Sequence, residues 1–271
     1  MKLQYDTSAY ETIFQPLREH WPEYLMEGAL LGLYMMSAGI FAVLLQVYPS
    51  PIHGWIKSSF FRRLLYGLAM GMTSTALVYS PWGRQSGAHA NSAITFTYWR
   101  LGKIRTSDAL FYAIAQFAGG VSGVAFISVL FGDSFRLPPV RYVTTQPGPE
   151  GVWWALAAEL LMSFLFMSTI LFVTNCPALA KHTGVFTGSL VALFLTFEAP
   201  LSGMSMNPAR TFSSALSGWL WQGTWAYFVG PISGMLLAVE VRKRLMHAPM
   251  RACAKLYHDE HTRCIFCGRK P

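Results

Sequence analysis

Six long stretches of this chain are rich in apolar residues and sparse in charge: Tyr24–Val47, Leu64–Ser80, Asp108–Gly132, Val152–Thr174, Thr183–Ala199 and Thr224–Val241. Each is long enough, as an α-helix, to cross the roughly 30 Å hydrocarbon layer of a bilayer. Two further apolar stretches, Asn91–Trp99 and Asn207–Leu216, are too short to cross. They read as re-entrant half-spans. The pattern predicts an all-α membrane protein with six transmembrane helices and two re-entrant half-helices. Residues 24–246 form the membrane domain, residues 1–23 an N-terminal segment, and residues 247–271 a basic tail containing Cys and His.

Composition agrees. The chain is 53% hydrophobic and only 13% charged, against about 25% charged residues in an average soluble domain. Nine Trp suit a protein held at lipid headgroups. The first twenty residues contain no apolar leader, so the first span is expected to act as its own insertion signal. With six spans, fifteen Lys and Arg fall on the side of the termini; Lys57, Arg62, Arg63, Arg136 and Arg141 fall on the other. That asymmetry predicts cytosolic termini in a cell (plasma or inner) membrane. The net charge of +8 is then explained by topology and by contact with anionic lipid; no soluble basic domain suggests a nucleic-acid partner. No catalytic constellation suggests an enzyme.

The two short stretches are copies of each other. Ser86-Gly-Ala-His-Ala-Asn91-Ser-Ala-Ile-Thr-Phe96 aligns without a gap to Ser202-Gly-Met-Ser-Met-Asn207-Pro-Ala-Arg-Thr-Phe212, with Ser, Gly, Asn, Ala, Thr and Phe identical. An odd number of spans separates them, so they enter from opposite sides as an inverted repeat. Irregular backbone at such depth survives only when buried in protein or lining water. Asn207 is a good helix N-cap and Pro208 suits the first helical position. Asn91, Ser92 and Ala93 serve the first copy as Asn207, Pro208 and Ala209 serve the second. Two half-helices then meet N-terminus to N-terminus at the midplane. Their positive ends repel protons and other cations and accept a neutral, hydroxyl-bearing solute.

SGAHANSA, SGMSMNPAR and the carboxylates Glu27 and Glu159 in the first and fourth spans together resemble the major intrinsic proteins. The likeness extends from about Tyr24 to Val241. It implies a passive channel for water and small neutral solutes, usually a homotetramer with a pore in each subunit. The alternative is a secondary transporter, a class in which broken helices and inverted repeats also occur. The resemblance gives Glu27 and Glu159 the role of accepting hydrogen bonds from the loops before the half-helices; a proton relay is the competing reading. His89 either lines the cytosolic vestibule or only hydrogen-bonds its turn. Arg210 is placed at the outer constriction, the competing reading being a structural salt bridge. Ser92 stands where the family usually has Pro, and the half-helix is expected to persist.

Carried over by spacing, the constriction falls on Gly71, Leu195, Met204 and Arg210. Gly71 removes a bulky side chain and predicts a wide ring that passes glycerol or urea with water. Other marks conflict: Pro200 to Arg210 looks glycerol-channel-like, whereas Thr211 and Tyr227-Phe228 do not. No cofactor is required by this reading. In the tail, His258, His261, Cys264 and Cys267 follow at three-residue intervals, a pattern that fits a zinc site; four ligands inside ten residues is tight, so a fold-back turn or Cys253 as a ligand is the variant of this reading. A disordered basic tail and a disulfide remain the alternatives. Cytosolic termini predict that an impermeant thiol reagent leaves cysteines placed at Asp6 and Ala254 unlabelled in intact cells; labelling of both would reverse the topology.

Overall fold

The computed structural model describes residues 14–245, 253–259 and 261–268. Asp6, most of the expected N-terminal segment and several tail cations (Arg251, Arg269 and Lys270) lie outside them. Eight principal helices carry the fold: α1 Phe14–Gln46, α2 Ser59–Tyr79, the half-helix α3 Ser92–Arg100, α4 Thr106–Phe131, α5 Val152–Asn175, α6 Thr183–Phe197, the half-helix α7 Pro208–Gly218 and α8 Ala226–Leu245. No strand occurs among the described residues. The first span begins earlier than hydropathy places it, because its first turns are helical without being apolar. Three helices are long and apolar enough to cross a membrane by that measure alone, at Gln15–Gln46, Thr106–Phe131 and Val152–Asn175. The others fall short in length or apolarity.

The order long, long, half, long occurs twice, and the packing repeats with it. α1 packs chiefly on α4, α5 on α8, and α2 pairs with α6 across the halves. Half-helix α3 wedges against α8 and α4, while α7 rests mainly on α4. Close approach rests on small residues. A Cβ on Gly28 of α1 would lie 2.7 Å from the Ala115 carbonyl oxygen, and one on Gly32 would lie 2.9 Å from that of Gly119. The Ala-Gly-Gly run of α4 supplies the other side of this close contact.

Burial is inverted relative to a soluble protein. Glu23, Glu27, Gln116 and Glu159 are fully inside, while Trp153, Trp154, Val129 and Phe172 are exposed. Met162 and Phe166 are buried, so they pack inside. Ala254 is also buried, so failure to label it would not report sidedness; exposed Lys181 and Glu150 are the better pair of positions. Gly32→Leu should cost about 1–3 kcal/mol or more by overpacking. It is expected to lower the thermal unfolding temperature of the detergent-solubilised protein; unchanged unfolding would show that α1 and α4 are not so closely apposed.

Candidate functional site

The two repeated Asn residues start the two half-helices in the same way. Asn91 (φ −153°, ψ 117°) accepts at Oδ1 from the backbone N–H groups of Ala93 and Ile94; Asn207 (φ −148°, ψ 105°) accepts from those of Ala209 and Arg210. Each capping amide also donates across the repeat, Asn91 Nδ2 to the Met206 carbonyl and Asn207 Nδ2 to the Ala90 carbonyl, both at 2.8 Å. An amide nitrogen carries two N–H donors, so one on each Asn remains for a solute. Ser92 does more than tolerate its position. Its backbone N–H reaches Asn207 Oδ1 at 3.4 Å and its hydroxyl oxygen accepts from the Ala209 N–H at 3.2 Å. Proline has neither group, so the departure from the repeat adds two ties between the half-helices.

The loops entering these helices are bent into the left-handed region at matching positions. Ala88 and Ala90 (φ 57° and 41°) correspond to Met204 and Met206 (φ 52° and 54°). Each such residue costs roughly 1–2 kcal/mol, and a buried carboxylate holds each pair. Glu27 Oε1 accepts from Ser86 Oγ (2.7 Å) and the His89 N–H (3.0 Å); Oε2 accepts from the Ala90 N–H (2.6 Å) and Gln116 Nε2 (2.9 Å). Glu159 Oε1 accepts from Ser202 Oγ (2.9 Å) and the Ser205 N–H (2.7 Å), and Oε2 from the Met206 N–H (2.7 Å). These are the bonds of a buttress: each carboxylate holds a Ser hydroxyl and two backbone N–H groups of its loop. Tyr112 and Tyr227 complete the parallel by donating to the carbonyls of Ser86 and Ser202 at 2.7 and 2.5 Å. Neither tyrosine was singled out for this role from sequence, and Gln116 was missed. The detectable signal was a Tyr at the equivalent place in both halves.

Two cavities meet at Arg210. The inner one, about 80 Å³, is lined by His89, Asn91, Asn207, Met204 and Leu256 among others; the outer one, about 640 Å³, is lined by Tyr66, Leu195 and Arg63 among others. Arg210 borders both. It is 7% exposed, and its Nη1 is buried without a hydrogen-bond partner. Glu198, just after α6, borders neither cavity.

Gly71 does not belong to the ring. A Cβ there would lie 2.5 Å from the Gly188 carbonyl oxygen and 2.9 Å from the Ala192 side chain, so this face of α2 packs on α6. Tyr66 and Ser74, on the next stripe of the helix, border the cavities. Counting back from Asn91 crosses the break at Ser80-Pro81, where α2 ends and the separate short helix Pro81–Ser86 begins. One residue corresponds to a turn of about 100° around a helix, so residue counting across that break does not fix which face points inward.

His89 borders the inner cavity, and its ring bonds the half-helix and the tail, not its own turn. Its Nδ1 pairs with Thr95 Oγ1 at 3.1 Å and its Nε2 with the Ala254 carbonyl at 2.8 Å. The second partner lies in the tail. There the ligand atoms of Cys253, His258, Cys264 and Cys267 all lie within 4.8 Å of one another. His261 stands outside that group, exposed, with its backbone N–H on Asp259 Oδ1. Cys253, the variant ligand, takes its place because the segment folds back on itself.

The family model described as major intrinsic protein matches residues 33–241. The chain is 32% identical to Aquaporin NIP2-3 of Zea mays over 191 residues, which is 69% of this chain and 60% of the maize protein. It is 34% identical to Aquaporin AqpM of Methanothermobacter thermautotrophicus over 183 residues, 64% of this chain and 72% of that protein. The fold matches that of the aquaglyceroporin from Plasmodium falciparum with a TM-score of 0.67 at 17% identity, covering 83% of this chain and 96% of that one.

Glu159→Leu strands two buried backbone donors at about 1–3 kcal/mol each. It should abolish transport and reduce recovery of folded protein, whereas Glu159→Gln, which keeps one acceptor oxygen, should be milder. Equal recovery of the wild type and the Leu variant would remove the buttress role.

Proposed function

Because the chain belongs to the major intrinsic protein family, we propose that it is a passive, bidirectional membrane channel for water and small uncharged solutes, and not an enzyme. The observation that carries this reading is Arg210, a buried cation bordering both cavities with one guanidinium nitrogen free of protein partners. A structural salt bridge would have used that nitrogen. A water or hydroxyl oxygen entering from the outer cavity meets this donor first and then the spare N–H groups of Asn91 and Asn207. These donors replace the hydrogen bonds lost on leaving bulk water.

Cations meet the reverse. A unit positive charge about 4 Å from Arg210 is repelled by roughly 4 kcal/mol at an effective dielectric constant of 20. The two half-helix N-termini, with about half a positive charge each, add to that barrier at the midplane. Neutral solutes pay neither cost. With Tyr66 in place of Gly71 beside Leu195, Met204 and Arg210, the ring is aromatic and closer than the glycine reading implied. Water is then the readiest permeant, and solutes such as urea or glycerol are limited by size. The arrangement we infer for the cell is a homotetramer in the cell membrane with both termini in the cytosol, in agreement with the charge asymmetry of the loops.

Osmotic light scattering on proteoliposomes tests the reading, with a metal chelator on both sides because the tail covers the inner cavity. Water flux should exceed that of empty vesicles, rise linearly with gradient and leave internal pH unchanged. Saturable or proton-coupled flux would favour the transporter alternative. Tyr66→Ala should raise urea and glycerol flux more than water flux. Gly71→Trp should fail to fold and not act as a selective constriction; a folded Gly71→Trp channel with reduced solute flux would restore Gly71 to the ring.

A further inference from the structure

The segment from Cys253 to Gly268 is built into the inner end of the cavity. Ala254 and Leu256 are buried. The Leu256 N–H donates to the Gly87 carbonyl at 3.1 Å, and its side chain borders the inner cavity beside Ala88 and His89. Phe266 stacks on the His89 ring with 5.7 Å between centroids and 6° between planes. Lys255 Nζ donates to the carbonyls of Arg84 and Arg263 at 2.6 and 2.7 Å. Arg84 faces Asp259 at 3.4 Å.

Such a short segment has almost no core of its own, so something must fix its fold-back. The four clustered ligand atoms lie at its centre. Cys253 Sγ is 3.4 Å from Cys264 Sγ, and His258 Nε2 is 3.4 Å from Cys267 Sγ. Tetrahedral zinc, with Zn–S about 2.3 Å and Zn–N about 2.0 Å, sets its ligand atoms roughly 3.5–4 Å apart, in line with these spacings. All four cysteines of the chain are free thiols in this structure. Three thiolates on Zn²⁺ leave one net negative charge, and the ammonium group of Lys255 sits in the same fold-back.

We propose that Cys253, His258, Cys264 and Cys267 bind one zinc ion and that the metal latches the tail as a plug, with Leu256 in the inner mouth of the pore and His89 tied to Ala254. Release of zinc frees the segment, withdraws Leu256 and returns His89 Nε2 to the pore. Metal availability at the inner face thereby sets the open fraction. The plug rests on the channel reading; the metal site does not.

Two measurements on the full chain separate them. Elemental analysis after loading with zinc chloride and gel filtration should give about one zinc per chain, falling to background in Cys253→Ser and in Cys264→Ser but not in His261→Ala. A wild type that holds no zinc, or a Cys253→Ser protein of normal gel-filtration profile that keeps it, overturns the site. In proteoliposomes loaded with zinc chloride, a membrane-permeant zinc chelator should raise water permeability several-fold in the wild type. Cys253→Ser should already be open and indifferent to the chelator. Leu256→Gly should retain zinc yet conduct with zinc bound. Rapid flux through zinc-loaded wild type, unchanged by chelation, overturns the plug. No flux in any state, chelated or mutated, overturns the channel reading and the plug with it, while the zinc content still decides the metal site.

Discussion

Backbone that leaves helical geometry in the middle of a bilayer has no water to satisfy it, and the rest of this structure depends on how that demand is met. Glu27 and Glu159 meet it. Each takes a Ser hydroxyl and two backbone N–H groups from a loop whose residues sit in the left-handed region. Burying a carboxylate is costly unless donors surround it; here the donors are groups that would otherwise be orphaned. The two requirements cancel, and the loops are held open so that their remaining polar groups face the cavity.

The meeting of the half-helices follows from that support. With the loops fixed, Asn91 and Asn207 cap their own helices and bond each other's loops, so a single pair of side chains sets both helix starts and the distance between the halves. Ser92 adds ties that a second proline would have removed. Small residues between α1 and α4, and between α2 and α6, let the long helices close around this joint. Arg210 is then carried by the first turn of α7 to the boundary between the two cavities, where an unpaired guanidinium nitrogen is useful and a paired one would not be.

The inner end is organised by different chemistry. The outer cavity is wide and bordered by cations such as Arg63, whereas the inner one is small and roofed by the tail. His89 links the two systems, since the turn that Glu27 holds by its backbone is the turn whose imidazole bonds to Ala254. The tail is thus tied directly to the turn at the half-helix entrance.

Much of this was legible in the sequence. The span pattern, the inverted repeat and the capping roles of Asn91 and Asn207 follow from local chemistry; the buttress roles of Glu27 and Glu159 and the place of Arg210 at the constriction were implied by the family resemblance. Hydropathy, N-cap preference and the cost of a buried charge act over a few residues, and a repeat declares its own register. What needed tertiary structure was rotation and long-range return. The face of α2 that borders the cavities depends on how the chain turns at Ser80-Pro81, so residue counting chose Gly71 where packing turns Tyr66 and Ser74 toward the cavities. Which side chains cluster in the tail depends on a fold-back stabilised by contacts with Arg84, Gly87 and His89, more than 150 residues earlier, so spacing alone left His261 and Cys253 both open and the fold brings in Cys253. Periodicity fixes what a residue is next to along its own helix; only packing decides what lies across from it.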